Sequence, residues 1–357
     1  MKKKSIVFIA LAVCLCLFVL WALQALLMPK YMEDIQEGAM VGEYYAEAGD
    51  HDVIFIGNCE VYENFSPITL WEEYGITSYI RGSAQQMIWQ SYYLMEETLK
   101  YEKPDVIIFD VLSMKDGTPA STGNPTQREA YNRMTLDGMR WSKSKIQSIL
   151  ASLTDKEKES GGMLLYLFPI LRYHDRWSEL TMEDFRYWFE KDVVTDNGYL
   201  MQVGVKPLEY AHVDKPLADY TFSENSYYYL DKMVELCETY GTQLILIKAP
   251  SLSPVWWDQW DQQMVDYARE KGLVYIDFLD YEQEIGIDWT TDTYDTGLHL
   301  NVYGAEKLSV YLGQYLSSEI GLADHRSDPE LRQIWAEKAN TYHTRKATLE
   351  AERDAAE

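Results

Sequence analysis

Five short apolar runs punctuate the chain, at 53–56, 78–80, 106–109, 244–247 and 274–276. Each is compact and most are rich in Val and Ile, the signature of strands buried on both faces of a parallel sheet. Between them apolar residues recur at helical spacing. Ile88, Tyr92, Met95 and Leu99 share one face, and Leu230, Met233, Val234 and Cys237 share another. Trp257, Trp260, Met264 and Tyr267 form a third face, and Ala305, Leu308, Leu312 and Leu316 a fourth. Gly241, Gly272 and Gly321 stand where the last three helices should stop. Ser66 and Pro67 read as the cap and first-turn proline of a shorter helix that Gly75 closes. Strands alternating with helices predict an α/β fold with a doubly wound sheet.

The spacing predicts more than a bare sheet. Residues 113–222, between the third and fourth runs, far exceed one crossover helix and predict a cap insertion. Within it, 117–126 reads as a surface loop, 129–153 as helix, and 164–189 as helix broken near Pro169. The expected class is therefore a three-layer, flavodoxin-like parallel sheet of about five strands with a large helical insertion, spanning 50–322. The charged tail, 323–357, shows no apolar stripe beyond Leu331, Ile334 and Trp335 and predicts a solvated helix or frayed end. No internal repeat is visible.

At the other end, Lys2, Lys3 and Lys4 precede an uncharged run over 5–28, broken only by Gln24. About 20 apolar residues cross a bilayer as a helix. The run is too long for a signal-peptide core and lacks a small-x-small cleavage site before Pro29, so it predicts an uncleaved signal anchor. The flanking lysines assign residues 1–4 to the cytoplasm and everything after the run to the outside of the cell membrane.

The formal net charge of −25 excludes nucleic acid binding through a basic face. Of four cysteines, two lie in the anchor, leaving Cys59 and Cys237. Two distant cysteines are no disulfide framework, although one bridge between them, with a redox role, stays open. No Cys-x-x-Cys or His-Glu-x-x-His spacing is present, and neither a metal nor a cofactor is expected.

Cys59 follows the first strand run in Gly57-Asn58-Cys59-Glu60. In open α/β sheets ligands bind beyond the carboxyl ends of the strands, so a thiol there can face a cleft. Its thiolate is the reactive form, favoured by a neighbouring imidazole. A buried packing role is the competing explanation of any cysteine. Among six histidines only His299, in Asp295-Thr296-Gly297-Leu298-His299-Leu300-Asn301, combines an upstream carboxylate with the start of a helix. His174 lies in the cap, His51 at the wrong end of the first strand, and His212, His325 and His343 in polar segments. Asp295 is the candidate carboxylate for orienting His299, with Asp292 as a second. Gly82 follows the second strand, where its N–H is a candidate oxyanion donor. The aromatics Trp177, Tyr187, Trp188, Trp256, Trp257 and Trp260 offer platforms for stacking on sugars, but such residues more often serve as packing.

Together Gly57-Asn58-Cys59-Glu60, Gly82 and His299 resemble the first, second and fifth blocks of the SGNH/GDSL hydrolase superfamily. The anchor, the insertion and the His-Leu-Asn ending resemble its cell-surface branch, which includes the D-alanine-transfer protein of lipoteichoic acid modification and polysaccharide O-acetylation proteins. The resemblance implies an acyl ester hydrolase or acyltransferase with Cys59 as nucleophile, His299 as base, Asp295 as its orienting carboxylate and Gly82 as oxyanion donor. It implies an envelope polysaccharide or teichoic-acid-like polymer as substrate and a membrane-bound O-acyltransferase as partner. Three departures stand out: Cys replaces Ser, Thr296 occupies the usual Asp position, and no third-block Asn follows Asp110, although Asn132 is a candidate substitute. These departures also fit a catalytically inactive binding or scaffolding protein on the same fold.

Overall fold

The computed structural model describes residues 3–29, 38–47, 50–208 and 215–356. Lys2 and His212 lie outside the described residues. Five parallel strands, β1 (Val53–Gly57), β2 (Ser78–Gly82), β3 (Val106–Asp110), β4 (Gln243–Lys248) and β5 (Val274–Asp277), form one sheet in the order β2-β1-β3-β4-β5. Each apolar run is thus a strand, extended by a residue or two. β1 lies inside the edge strand β2 and pairs with it on one side and with β3 on the other, so the winding direction reverses there.

Alternate residues of the strands face opposite layers. Ile54, Ile56, Ile107, Phe109, Leu244 and Leu246 enter one apolar core with helices Ile88–Tyr101, Glu224–Tyr240 and Asp258–Lys271. Val53, Phe55, Val106, Ile108, Ile245 and Ile247 enter the other, with helices Pro67–Tyr74 and Val302–Tyr315. Both faces are covered, which explains why the strands read as unbroken apolar runs. The helix ends follow local chemistry. Ser66 accepts a hydrogen bond from the Thr69 N–H at 3.2 Å, and Gly75, Gly241, Gly272 and Gly321 close their helices in the left-handed conformation.

The insertion departs in detail from its sequence pattern. The 129–153 stretch is two helices, Pro125–Leu136 and Lys143–Ser152. They part at Gly138, whose backbone lies against that of Gly38 so closely that a Cβ there would sit 2.2 Å from the Gly38 carbonyl oxygen. Residues 164–189 form short turns of helix, the longest Gly162–Leu167.

The tail is neither solvated all round nor frayed. Pro329–Ala356 is one helix whose buried Trp335 stacks on Trp71 at 5.2 Å between ring centroids. Tyr342, two turns on, is also buried and donates to Glu306 at 2.8 Å. Arg345 donates to the Val194 carbonyl at 2.7 Å and Arg353 to that of Val203 at 2.8 Å, so the helix clasps the returning end of the insertion. At the other terminus, the helix Lys3–Leu27 is long and apolar enough to cross a membrane.

Candidate active site

The site begins with the turn after β1. Gly57 must be glycine because Val61 folds back over it: a Cβ would lie 2.3 Å from the Val61 methyl. Asn58 then caps the short helix Cys59–Tyr62, its side-chain oxygen accepting from the Glu60 N–H at 3.0 Å. This strand–turn–helix geometry sets Cys59 in the first turn, part-exposed at the carboxyl edge of the sheet beside the reversal between β1 and β3. One turn on, the Glu63 N–H donates to the Cys59 carbonyl at 3.1 Å, which brings the Glu63 carboxylate round to the same side.

His299 arrives on a loop shaped by positive φ at Thr296 and Gly297. Asp295 grips it twice: one carboxylate oxygen accepts from the His299 N–H at 2.9 Å and the other faces Nδ1 at 2.6 Å. Glu63 stands 3.1 Å from the same Nδ1 and accepts from the Tyr294 hydroxyl at 2.5 Å. The Tyr294 ring lies nearly parallel to the imidazole. Asn64 ties the two halves together, accepting from the Leu300 N–H at 2.8 Å and donating to the Pro250 carbonyl at 3.4 Å.

Burial disfavours a charged imidazole, but the hydrogen bonds to Asp295 and Cys59 and the charge of Glu63 override it and raise His299 from 6.5 to about 11. Asp295 answers in the opposite sense: burial raises its carboxyl, but the bond to His299 leaves it below the usual aspartate value. Glu63 is pushed up by burial, with His299 opposing. The sulfur and the imidazole, brought from opposite ends of the domain, therefore lie near enough for Cys59 to help raise His299, and both face one pocket.

Both line a pocket of about 100 Å³ together with Asn58, Gln85, Gln86, Leu112, Ser113 and Ser253. Glu60, which also lines the pocket, forms a fully buried ion pair with Lys248 at 2.8 Å, and Lys248 also donates to the Ala249 carbonyl and to Ser251. Asp110, beside them, accepts from the Ala249 and Leu112 N–H groups. Burial and the neighbouring Glu60 push its carboxyl well above the ordinary range.

Of the residues marked in the sequence, the structure brings together Cys59, His299 and Asp295. Gly82 ends β2 opposite Gly57 and packs against Tyr62, and it is not among the residues lining the pocket. Asp292 bonds the Asp288 N–H and Lys307, not the imidazole. Asn132 is buried between Gln90 and the Ser152 carbonyl, and so does not replace the third-block asparagine at the pocket. His51 pairs with Glu102, His325 with Asp52 and His343 with Glu72, while exposed His174 meets the Leu171 carbonyl. Cys59 and Cys237 are both free thiols. Cys59 packs against one core and Cys237 belongs to the other, across the sheet, where burial raises its thiol to about 12.

Glu63, Tyr294, Asn64 and the Lys248–Glu60 pair carry no mark in the sequence. Only Glu63 had a local signal, its position one helical turn after the thiol. Glu63, Asp295 and His299 place ligand atoms within 4.8 Å of one another, a donor set that could take a divalent cation. An imidazole protonated on both nitrogens offers no lone pair, so a metal would have to displace its proton.

No family model matches the chain, and no curated protein does. Among solved structures, it is similar to a Bacteroides fragilis NCTC 9343 protein described only as a candidate acylhydrolase, at 12% identity and a TM-score of 0.38. The match covers 82% of this chain and 100% of that one.

Proposed function

We propose that this chain is a membrane-anchored, extracytoplasmic acyl ester hydrolase or acyltransferase of SGNH type, acting through Cys59, His299 and Asp295. The observation that supports it is an imidazole held between a thiol and a carboxylate at the carboxyl edge of a doubly wound sheet. Asp295 fixes Nδ1, leaving Nε2 to serve the sulfur.

In this reading the Cys59 sulfur attacks the ester carbonyl carbon, a C–S bond forms, and the carbonyl electrons move onto oxygen. The tetrahedral intermediate collapses, the C–O bond breaks, and the His299 imidazolium gives its proton to the departing alkoxide. A thioester remains. Water, or a sugar or polyol hydroxyl, then loses its proton to His299 and attacks the thioester, which returns the acyl group to oxygen and the thiol to its first state. The Cys59 N–H is the first oxyanion donor, and the Gly82 N–H the proposed second. The acyl group would enter the pocket that Cys59 and His299 line. The polymer itself would lie outside it. The reading takes that polymer to be an envelope polysaccharide or teichoic-acid-like chain, and the acyl supplier to be a membrane-bound O-acyltransferase.

The test is to incubate the protein with p-nitrophenyl acetate and measure intact mass. A single acetyl adduct on Cys59, absent from Cys59→Ala and slow to form in His299→Gln, is expected. An unmodified Cys59 across several activated short-chain esters would refute the enzyme and leave a binding or scaffolding protein. The cysteine in the nucleophile position and the absence of a third-block asparagine after Asp110 favour that second reading.

A further inference from the structure

The part of the insertion nearest the membrane helix carries its apolar side chains on the outside. Met182 is 80 % exposed, Trp177 72 % and Phe189 91 %, and Leu171, Phe185 and Trp188 are exposed beside them. A soluble surface scatters such residues singly; here they crowd into short turns that all pack around the end of the helix Lys3–Leu27. The Arg176 guanidinium donates to the Leu27 carbonyl at 2.6 Å, satisfying a helix-end acceptor. The Trp188 ring meets that of Trp21 at 6.4 Å between centroids.

That last contact sets a depth. Trp21 lies six residues before the end of the helix, about 9 Å along its axis at 1.5 Å per residue. A side chain touching Trp21 shares its level in the membrane that the helix crosses. Interfacial elements bury their apolar faces about 5–10 Å into the headgroup and acyl boundary, and aromatic rings favour that layer. Local charge supplies little attraction to anionic lipid, because Arg186 is paired with Glu183 and Asp192, and Arg176 with Asp184.

We propose that residues 171–189 form an interfacial membrane-contact surface. On it Trp177, Met182, Phe185, Trp188 and Phe189 enter the outer leaflet beside the anchor, so that the catalytic domain rests on the bilayer at a fixed height and does not hang from a loose tether. The proposal rests on the reading of Lys3–Leu27 as a membrane span.

The test uses the full chain in phosphatidylcholine nanodiscs, with the photoreactive residue benzoylphenylalanine placed in turn at Trp21, Met182, Phe189 and, as a distant exposed control, Tyr281. After irradiation, mass spectrometry should find a gain of one phospholipid at Met182 and Phe189, as at Trp21, and none at Tyr281. Added phosphatidylglycerol should leave those yields unchanged. Lipid capture at Trp21 without capture at Met182 and Phe189 overturns the contact surface while keeping the anchor. No capture at Trp21 overturns the anchor itself. In native membranes, cross-links from Met182 and Phe189 to a protein in place of lipid would assign the face to a protein partner and overturn the proposal.

Discussion

Replacing Asp295 with asparagine probes the electrostatics on which the proposed chemistry depends. Its carboxylate lies 2.6 Å from His299 Nδ1, and the histidine side chain is only 13 % exposed, so water screens the pair weakly. Burial alone would lower the imidazole, and the bond to Asp295 heads the effects that lift it from 6.5 to about 11. An opposite charge at this range shifts a pKa by roughly 1–3 units, or about 1.4–4 kcal/mol of preference for the charged ring. Asp295→Asn should lower the His299 pKa by that amount, and adding Glu63→Gln should lower it again, since Glu63 sits 3.1 Å away. The assay is a pH titration of carbon-labelled histidine followed by NMR, with the His299 signal assigned from His299→Gln. The sign extends to stability. The folded-state pKa lies above the unfolded one, so the His299 contribution is fully present below about 6.5 and fades as pH rises towards 11. Asp295→Asn should shrink that alkaline loss. A wild-type His299 that titrates near 6.5, or one that Asp295→Asn leaves unmoved, would refute the reasoning.

Other outcomes follow from the same geometry. Lys248→Met leaves the Glu60 carboxylate buried without its cation, which should cost roughly 3–5 kcal/mol in urea unfolding; an unchanged midpoint would mean that the pair is solvated. Trp335→Ala removes the ring stacked on Trp71 and should cost roughly 3–5 kcal/mol, whereas a free tail would give a change near zero. Dialysis against a chelator should leave acylation of Cys59 unchanged. Activity lost on dialysis and restored by zinc would instead make Glu63, Asp295 and His299 a metal site.

The sheet was legible because burial on both faces leaves no polar residue to interrupt Val53–Gly57 or Val106–Asp110. The glycine stops were equally plain, since the left-handed turn that ends a helix favours glycine. The insertion was harder. Its break at Gly138 is set by a backbone contact with Gly38, 100 positions away, and local periodicity carries no trace of it. The tail helix misled because its docking face holds few apolar residues: Trp335 and Tyr342 are buried, while Arg345 and Arg353 reach backbone carbonyls that hydropathy does not register. At the site, Cys59, His299 and Asp295 stood out by position relative to strands and by local spacing. Glu63 and Tyr294 meet only because the fold closes a gap of 231 positions. The Lys248–Glu60 pair, separated by 188, is hidden for the same reason.

The Asn64 side chain spans three segments with one amide, joining the turn after Cys59 to the loops around Pro250 and Leu300. Such cross-bracing couples thiol and imidazole as parts of a single rigid jaw. Leu112, Ser113, Ser253 and Pro254 wall the pocket beside them, and no residue of the helices over 125–189 does. Mutations in those helices should therefore spare the alignment of sulfur and ring.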